Sequence, residues 1–354
     1  MGSALVLGEN RPFATRSRRV NEPRPTGAVA LVSGGLDSML AAKIVSDLGV
    51  VVTALHCVFQ FDPVASSRKR AVLASVSERI GLPIRHLDIS DAMIEVIRAP
   101  KHGFGRGVNP CIDCHILMIN RAWALAREIG AGFIVTGEVA GQRPMSQGIQ
   151  MLRHIEKESG LEGLILRPLS AQSLPTTIPE ERGWTPRERL YGVVGRSRKE
   201  QMSLAETFGI EDYEQPAGGC ILTMPQYSDR AKRLWGSKNR SSVTLKDMQL
   251  LRFGRHLWPN RHLHLIVGRD ETENRELEAY RDGLLAFTAD DIQGPLVLAE
   301  GVNDRRDIET AAAVTARYSD GKLLSSVSVR FQGVDSGRID VNPASPDETE
   351  CWIV

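Results

Sequence analysis

The sequence contains no apolar run approaching the roughly 18 residues that a membrane helix requires, and its N-terminus lacks the apolar centre of a secretory signal. These absences predict a cytoplasmic protein with no membrane partner. Cysteine is scarce. The five residues at 57, 111, 114, 220 and 351 are odd in number and too sparse for a disulfide framework, so the close pair at 111 and 114 points to metal or redox work. Charge of one sign is not in excess either: a formal net charge of +1 excludes a globally basic chain and confines any nucleic-acid surface to local patches. The motif G-x-x-x-x-G-K-[ST] is missing, which excludes P-loop kinases and GTPases. No internal repeat is present.

What is there has the texture of a soluble α/β protein, with 42% hydrophobic and 25% charged residues in 354, enough for two or three domains. Residues 1–27, with Arg11, Arg16, Arg18, Arg19 and Arg24 among prolines, read as a flexible basic tail. From Ala28, short apolar runs at 28–32, 51–58, 84–89 and 132–137 alternate with helix-length segments near 37–48, 66–80 and 115–129. Continuous β-branched runs separated by helices suit a parallel sheet buried on both faces, so a Rossmann-like α/β domain is expected over 28–170. A Pro-, Gly- and Arg-rich connection, 171–235, carries Cys220 and a helix at 198–208. Residues 236–340 are expected to form an α+β domain, with strands within 262–268 and 323–331 and helices near 270–280 and 307–314. Residues 341–354 read as a loosely ordered acidic tail.

The clearest chemistry lies in "SGGLDS", directly after the first apolar run. Ser33, Gly34 and Gly35 allow a tight turn with exposed N–H groups, Leu36 opens a helix, and Asp37 and Ser38 sit at its positive end. An anion fits there. The "GEVAGQRPMSQ" stretch (137–147) follows the end of a strand, where doubly wound sheets bind ligands, which places Gly137 near a nucleotide and Arg143 near phosphate or RNA. His56, at the end of the second run, serves either an adenine site or packing. "GFGRG" (103–107) follows no strand and precedes no clear helix, so it is not a dinucleotide fingerprint. "CIDCH" (111–115) spells haem attachment, a dithiol, half of a zinc site or part of an iron–sulfur site, and taken alone it leaves all four open. His115 is a fourth ligand in the zinc case and otherwise a polar residue in the first helical turn. Cys57 and Cys351 receive no role. Basic residues cluster at 182–201, including Arg196, Arg198 and Lys199, and at 230–261; each cluster is an RNA surface or a solvated face.

In their order along the chain these motifs resemble a known group. Ser-Gly-Gly-x-Asp-Ser after a first strand is similar to the PP-loop of the adenine nucleotide α-hydrolase superfamily, whose members split ATP between its α and β phosphates and adenylate a substrate. "NPCIDCH…AREIGAGFIVTGEVA", "RSRKEQMSLAETFGI" and "PAGGCILT" resemble the tRNA 2-thiouridylases of that group, over about residues 28–225. The resemblance implies a tRNA sulfurtransferase that uses ATP and Mg²⁺. Ser33, Gly34, Gly35, Leu36, Asp37, Ser38, His56 and Gly137 would hold ATP, and Asp37, Cys114 and Cys220 would be catalytic. Arg143, Arg196, Arg198 and Lys199 would contact tRNA. The sulfur donor (sulfide, a desulfurase or a sulfur carrier protein) and the oligomeric state, homodimer included, stay open.

One departure is informative. Bacterial members commonly carry Asp where this chain has Cys111. With Cys111, Cys114 and Cys220 together, the chain resembles instead the thiolation enzymes in which three cysteines hold a [4Fe–4S] cluster and leave the fourth iron open. The competing chemistry makes Cys220 a persulfide that Cys114 resolves. A PP-loop amide synthetase and a non-catalytic nucleotide-sensing RNA-binding protein are the remaining alternatives. Further on, "LRFGRHLWPNRHLHLIVGRDETENRELEAY", "GPLVLAEG" and "AVTARYSDGK" resemble the NFACT-type RNA-binding domain, which makes the basic residues of 252–269 an expected RNA surface. The alternative there is an ordinary packing or dimerisation domain.

Overall fold

The structure, a computed structural model, describes residues 27–143, 146–210, 213 and 220–354. The expected basic tail up to residue 26 and the 216–219 stretch before Cys220 lie outside the described residues. The chain divides into two compact units. The first holds the described residues up to Cys57 with 69–87 and 115–215, and the second holds 58–68, 88–114 and 216–354.

In chain order the first elements are β1 (Ala28–Leu31), α1 (Leu36–Asp47), β2 (Val52–Val58), α2 (Pro63–Ile80), β3 (Ile84–Asp88), α3 (Ser90–Arg98), α4 (Cys111–Glu128), β4 (Phe133–Val135), α5 (Ile149–Glu158), β5 (Ile165–Leu166), α6 (Ile178–Glu181) and α7 (Lys199–Phe208). The five strands form one sheet in the order β3-β2-β1-β4-β5, with β1 parallel to β2 and β4, and β4 parallel to β5. The expected Rossmann-like class is therefore what forms. Its cause is local: Ala28, Val29 and Ala30 are buried on both faces of the sheet, and Leu36, Met39, Leu40, Ala41, Ala42, Ile44 and Val45 bury α1 on nearly every side. Leu204, Ala205 and Phe208 of α7 join the same core. Because β1 has β2 on one side and β4 on the other, the strand order reverses there, and the C-terminal ends of β1 and β4 mark the place where doubly wound sheets hold their ligand crevice. α4 begins four residues before the expected position, so Cys111 and Cys114 lie in its first turn.

The remaining elements are α8 (Pro225–Ser237), α9 (Leu245–Leu250), β6 (Arg255–Leu257), β7 (His264–Val267), α10 (Glu271–Glu278), β8 (Leu285–Ala289), β9 (Val297–Glu300), α11 (Arg305–Arg317), β10 (Val327–Gln332), β11 (Ser336–Val341) and α12 (Pro346–Trp352). The strands make a six-stranded sheet in the order β11-β10-β8-β9-β7-β6, antiparallel throughout. Alternation builds two cores. Leu265, Val267, Leu285, Phe287, Val297 and Ala299 face one cluster with α11, while Ile266, Ala286 and Leu298 face another with Leu250, Phe253 and Leu277. The expected looseness of 341–354 is corrected. Ser345 and Glu348 form a capping box on α12, and Val354 N donates to His256 O at 3.0 Å, so the acidic residues there cap a helix. Among the described residues no helix is long and apolar enough to cross a membrane.

Candidate functional site

In the first unit the turn after β1 brings the "SGGLDS" residues to that end of the sheet. Gly34 has φ +82°, which favours glycine, and Gly35 precedes α1 with no side chain capping the helix. The uncapped end keeps its positive dipole available to a ligand. Ser38 Oγ donates to Gly35 O at 2.8 Å and accepts from Ser33 N at 3.1 Å, so Ser38 braces the turn from inside. Gly137 meets this turn closely: a Cβ there would lie 2.5 Å from Asp37 C and from Ser38 N and Cα. Only glycine allows that approach.

Asp37 points back towards the loop after β4. Gln142 Nε2 donates to its Oδ2 at 3.0 Å, while Oδ1 is buried with no hydrogen-bond partner. An ionised carboxylate oxygen left bare is costly unless a cation or donor meets it, so Asp37 fits Mg²⁺ carried with a nucleotide. The loop itself is pinned, with Ala140 N donating to Ser170 Oγ at 3.0 Å and Gly195 N to Ala140 O at 2.8 Å. That second bond, with the Ala140–Val194 bridge, sets Val194 and Gly195 beside the loop, and Gly137 is the residue of this group that meets Asp37 directly. Arg143, Arg196 and Lys199 are exposed and Arg198 half-buried.

His56 is buried, and its Nδ1 lies 3.1 Å from His86 Nδ1. Burial and the neighbouring His86 push its imidazole down to about 4, so it is neutral at physiological pH. Burial likewise pushes the Cys57 thiol up to about 12, which keeps it unreactive.

A buried ionic network, which sequence reasoning missed, follows β4. Arg167 Nε and Thr136 Oγ1 each donate to Glu138 Oε2 at 3.0 Å, His115 Nδ1 donates to Glu138 Oε1 at 3.1 Å, and Arg167 also pairs with Glu156. Burial alone would raise the Glu138 carboxyl, but Arg167 and His115 outweigh it and hold it down at about 2. His115 thus faces a carboxylate and is more than a polar residue of the first turn. The signal available in the sequence was Glu138 itself, a charge directly after an apolar strand.

In the second unit the three cysteines lie on two segments, the first turn of α4 and the turn that starts at Cys220. Cys111 and Cys114, three residues apart, project from one side of the first turn of α4, which Cys114 N closes by donating to Pro110 O at 2.9 Å. Between them Asp113 accepts from His102 N at 3.0 Å and lies 2.8 Å from His102 Nδ1. Val108 N donates to Leu222 O at 3.0 Å, and a Cβ on Gly107 would lie 2.5 Å from that same oxygen. Those contacts dock the turn that starts at Cys220 onto the loop leading to Cys111. Cys111 and Cys114 are half-buried on α4 and Cys220 is exposed at the start of the docked turn, so the three thiols stand on two segments that touch through Val108 and Leu222. Of the basic residues at 252–269, Arg252 pairs with Asp62 at 2.8 Å, Arg269 with Glu273, and Arg255 lies over the Tyr318 ring.

Comparison with known proteins finds likenesses in both parts of the chain. Residues 25–175 match the family profile of the thiamine biosynthesis protein (ThiI), and residues 254–353 match the NFACT protein RNA binding domain. The tRNA-specific 2-thiouridylase MnmA of Nitrobacter hamburgensis is 30% identical over 142 residues, 37% of this chain and 36% of that protein. Its counterpart in Methylorubrum extorquens is 25% identical over 263 residues, 70% of this chain and 64% of that protein. The chain thus spans about a third of the length of the first curated relatives it matches. A solved 4-thiouridine synthetase–RNA complex with bound ATP is 21% identical, covering 52% of each chain, at a TM-score of 0.33, too low for the likeness to bear on fold or function. The chain combines a PP-loop domain similar to those of ThiI and the tRNA 2-thiouridylases with a C-terminal domain similar to the NFACT RNA-binding domain.

Proposed function

We propose that the chain is an ATP-dependent tRNA sulfurtransferase. The α1 N-terminus receives the ATP phosphates and Asp37 the accompanying Mg²⁺. A uridine carbonyl oxygen attacks the α-phosphate, pyrophosphate leaves, and the N3 proton is released. Sulfur then displaces AMP from the same carbon. Cys111, Cys114 and Cys220 are the group that handles that sulfur, and Arg143, Arg196, Arg198 and Lys199 take RNA phosphates. The NFACT-like domain adds a second RNA contact, with the donor being sulfide, a desulfurase or a sulfur carrier protein.

The observation that carries this reading is the docking of the Cys220 turn on the loop that leads to Cys111 and Cys114. An amide synthetase has no use for a thiol-bearing turn docked beside two further thiols. These thiols would hold a [4Fe–4S] cluster, which when bound supplies an open iron able to carry a sulfur atom. Anaerobically purified protein is expected to contain about four irons per chain, and Cys111→Ala to lose iron and thiolation together. Full activity of metal-free Cys111→Asp in air would replace the cluster with persulfide chemistry at Cys114 and Cys220. Unchanged thiouridine in tRNA nucleosides from a deletion strain, measured by mass spectrometry, would overturn the thiolation reading itself.

A further inference from the structure

The loop leading to Cys111 carries an aromatic pair that thiolation as described leaves unused. Phe104 stacks on Trp235 of α8 with ring centroids 5.2 Å apart and planes 24° from parallel. The Arg240 guanidinium lies 5.5 Å from the Phe104 centroid and 5.8 Å from that of Trp235. All three side chains are half-buried, so each keeps part of its surface in solvent. The guanidinium is held in place by backbone: Arg240 Nε donates to Arg98 O at 2.9 Å, and Arg98 Nε donates to Val243 O at 2.8 Å. Among the described residues Arg240 has no carboxylate partner. An aromatic pair serving the core would be buried, and an arginine serving a surface ion pair would face an acid. This cluster does neither.

Its position is tied to the cysteines through one atom. The Asn109 carbonyl accepts from Gly105 N at 2.8 Å and from Cys111 N at 2.9 Å, so the residue after Phe104 and the first cysteine share an acceptor. Exposed Lys101 and Arg106 lie on the same loop, and exposed Arg233 lies on α8 two residues before Trp235.

We propose that Phe104, Trp235 and Arg240 form a stacking platform for an unpaired base of the RNA substrate, with Lys101, Arg106 and Arg233 meeting the flanking phosphates. The identity of that RNA as tRNA rests on the thiolation reading; the stacking does not. Unpaired bases stack on aromatic rings and on guanidinium planes irrespective of sequence, because every base has a π face. A uridine whose carbonyl is to be attacked must also leave its helical stack, and a platform on the cysteine loop would receive it or its neighbour.

The test compares Phe104→Leu, which keeps apolar bulk and removes the π face, with Phe104→Tyr, which keeps both. Probes are unfractionated tRNA and a short oligouridylate, with binding measured over a range of salt. Phe104→Leu is expected to weaken both by about tenfold, as loss of one stacked base does, while Phe104→Tyr stays within about twofold of wild type. The slope of log K against log salt should not change, since no phosphate contact is removed. Trp235→Leu and Trp235→Phe should repeat the pattern. Wild-type binding by Phe104→Leu at an unchanged thermal midpoint overturns the platform and leaves the thiolation reading untouched. Phe104-dependent binding of oligouridylate by a wild-type protein that neither releases pyrophosphate nor thiolates tRNA supports the platform and removes the thiolation reading.

Discussion

The turn after β1 and the turn before α4 both end at a helix N-terminus, yet they are finished in opposite ways. α1 starts at Gly35 with no side-chain cap, and its backbone is left to meet a ligand. α4 instead carries side chains in its first turn: Cys114 N donates to Pro110 O as Met39 N does to Gly35 O in α1, and Asp113 accepts from His102 N between the two cysteines. A helix start lined by glycine offers its backbone to an anion, whereas one lined by side chains presents those side chains, here two thiols. The first loop does its chemistry with backbone and the second with sulfur.

The sharpest way to break this contrast is Gly137→Ala. Its Cβ would meet backbone atoms of Asp37 and Ser38 at 2.5 Å, which cannot yield as a side chain would. Displacing the α1 N-terminus by a fraction of an ångström is expected to reduce tRNA-dependent pyrophosphate release by at least about 100-fold, the scale on which misplacement acts. Iron content and RNA affinity should stay near wild type, because the cysteine loop is built elsewhere in the chain. Equal loss of all three would mean that the variant had simply unfolded, and a thermal melt separates the cases.

The buried Glu138 network offers a second contrast, with Glu300 of the other unit. Burial raises the Glu138 carboxyl and Arg167 outweighs it, leaving it at about 2, while His264 at 3.8 Å and Lys238 at 2.8 Å hold Glu300 at about 2 against the cost of burial. Both values lie below the unfolded carboxyl near 4.5, so each group stabilises the fold fully above that pH and loses its contribution as pH falls towards 2. Glu138→Gln also leaves Arg167 buried beside a neutral amide and is expected to cost about 3–5 kcal/mol. Acid titration followed by near-UV circular dichroism should show a flatter pH dependence for that variant. An unchanged acid midpoint would place the network outside the stability of the first unit.

How far the sequence disclosed these features follows from how local each one is. The SGGLDS turn was legible because six consecutive residues supply its glycines, its helix start and its carboxylate, and the flanking apolar runs announce a parallel sheet. Gly137 could be placed because it ends a strand. Gln142, only five residues on, was passed over, since nothing in a glutamine's surroundings says that it will donate to Asp37. The cysteine spacing was legible, but the docking of Leu222 on Val108, the His102–Asp113 pair and the Phe104–Trp235 stack join segments more than ten residues apart and leave no periodic trace. The strands β5, β6, β8, β9 and β11 also went unread: each is too short for alternation to declare itself, and none stood out as an apolar run between helix-length segments as β1 to β4 did.

Gly107→Ala is the counterpart of Gly137→Ala on the sulfur side. Gly107 has φ +68°, and its Cβ would press on Leu222 O at 2.5 Å, so substitution strains the turn and pushes the Cys220 segment away. The cost of such strain, about 1–3 kcal/mol, corresponds to a fall in thiolation and in bound iron of about tenfold. Adenylation should continue, and pyrophosphate would be released without thiolated product. Normal thiolation by Gly107→Ala would show that the docking of Cys220 is dispensable.

The smallest effect separates two kinds of positive charge. In the second unit some arginines are partnered by acids: Arg330 with Asp290 at 2.5 Å, Arg281 with Glu278 at 2.7 Å and Arg305 with Glu309 at 3.1 Å. In the first, Arg196, Arg198 and Lys199 have no carboxylate partner among the described residues, and Arg198 Nε is buried without an acceptor. An unpartnered cation beside the loop after β4 is free to replace counterions on an RNA phosphate, whereas a cation already paired releases fewer. Neutralising Arg196, Arg198 or Lys199 is therefore expected to lower the slope of log K against log salt for tRNA by about 0.7 per residue on single strands and about 0.9 on duplex. Arg281→Gln and Arg305→Gln should leave that slope within error of wild type. A slope that responds to Arg305→Gln and not to Arg196→Gln would take Arg196, Arg198 and Lys199 out of the RNA path, and would do so even if all of these variants bound tRNA with similar affinity at a single salt concentration.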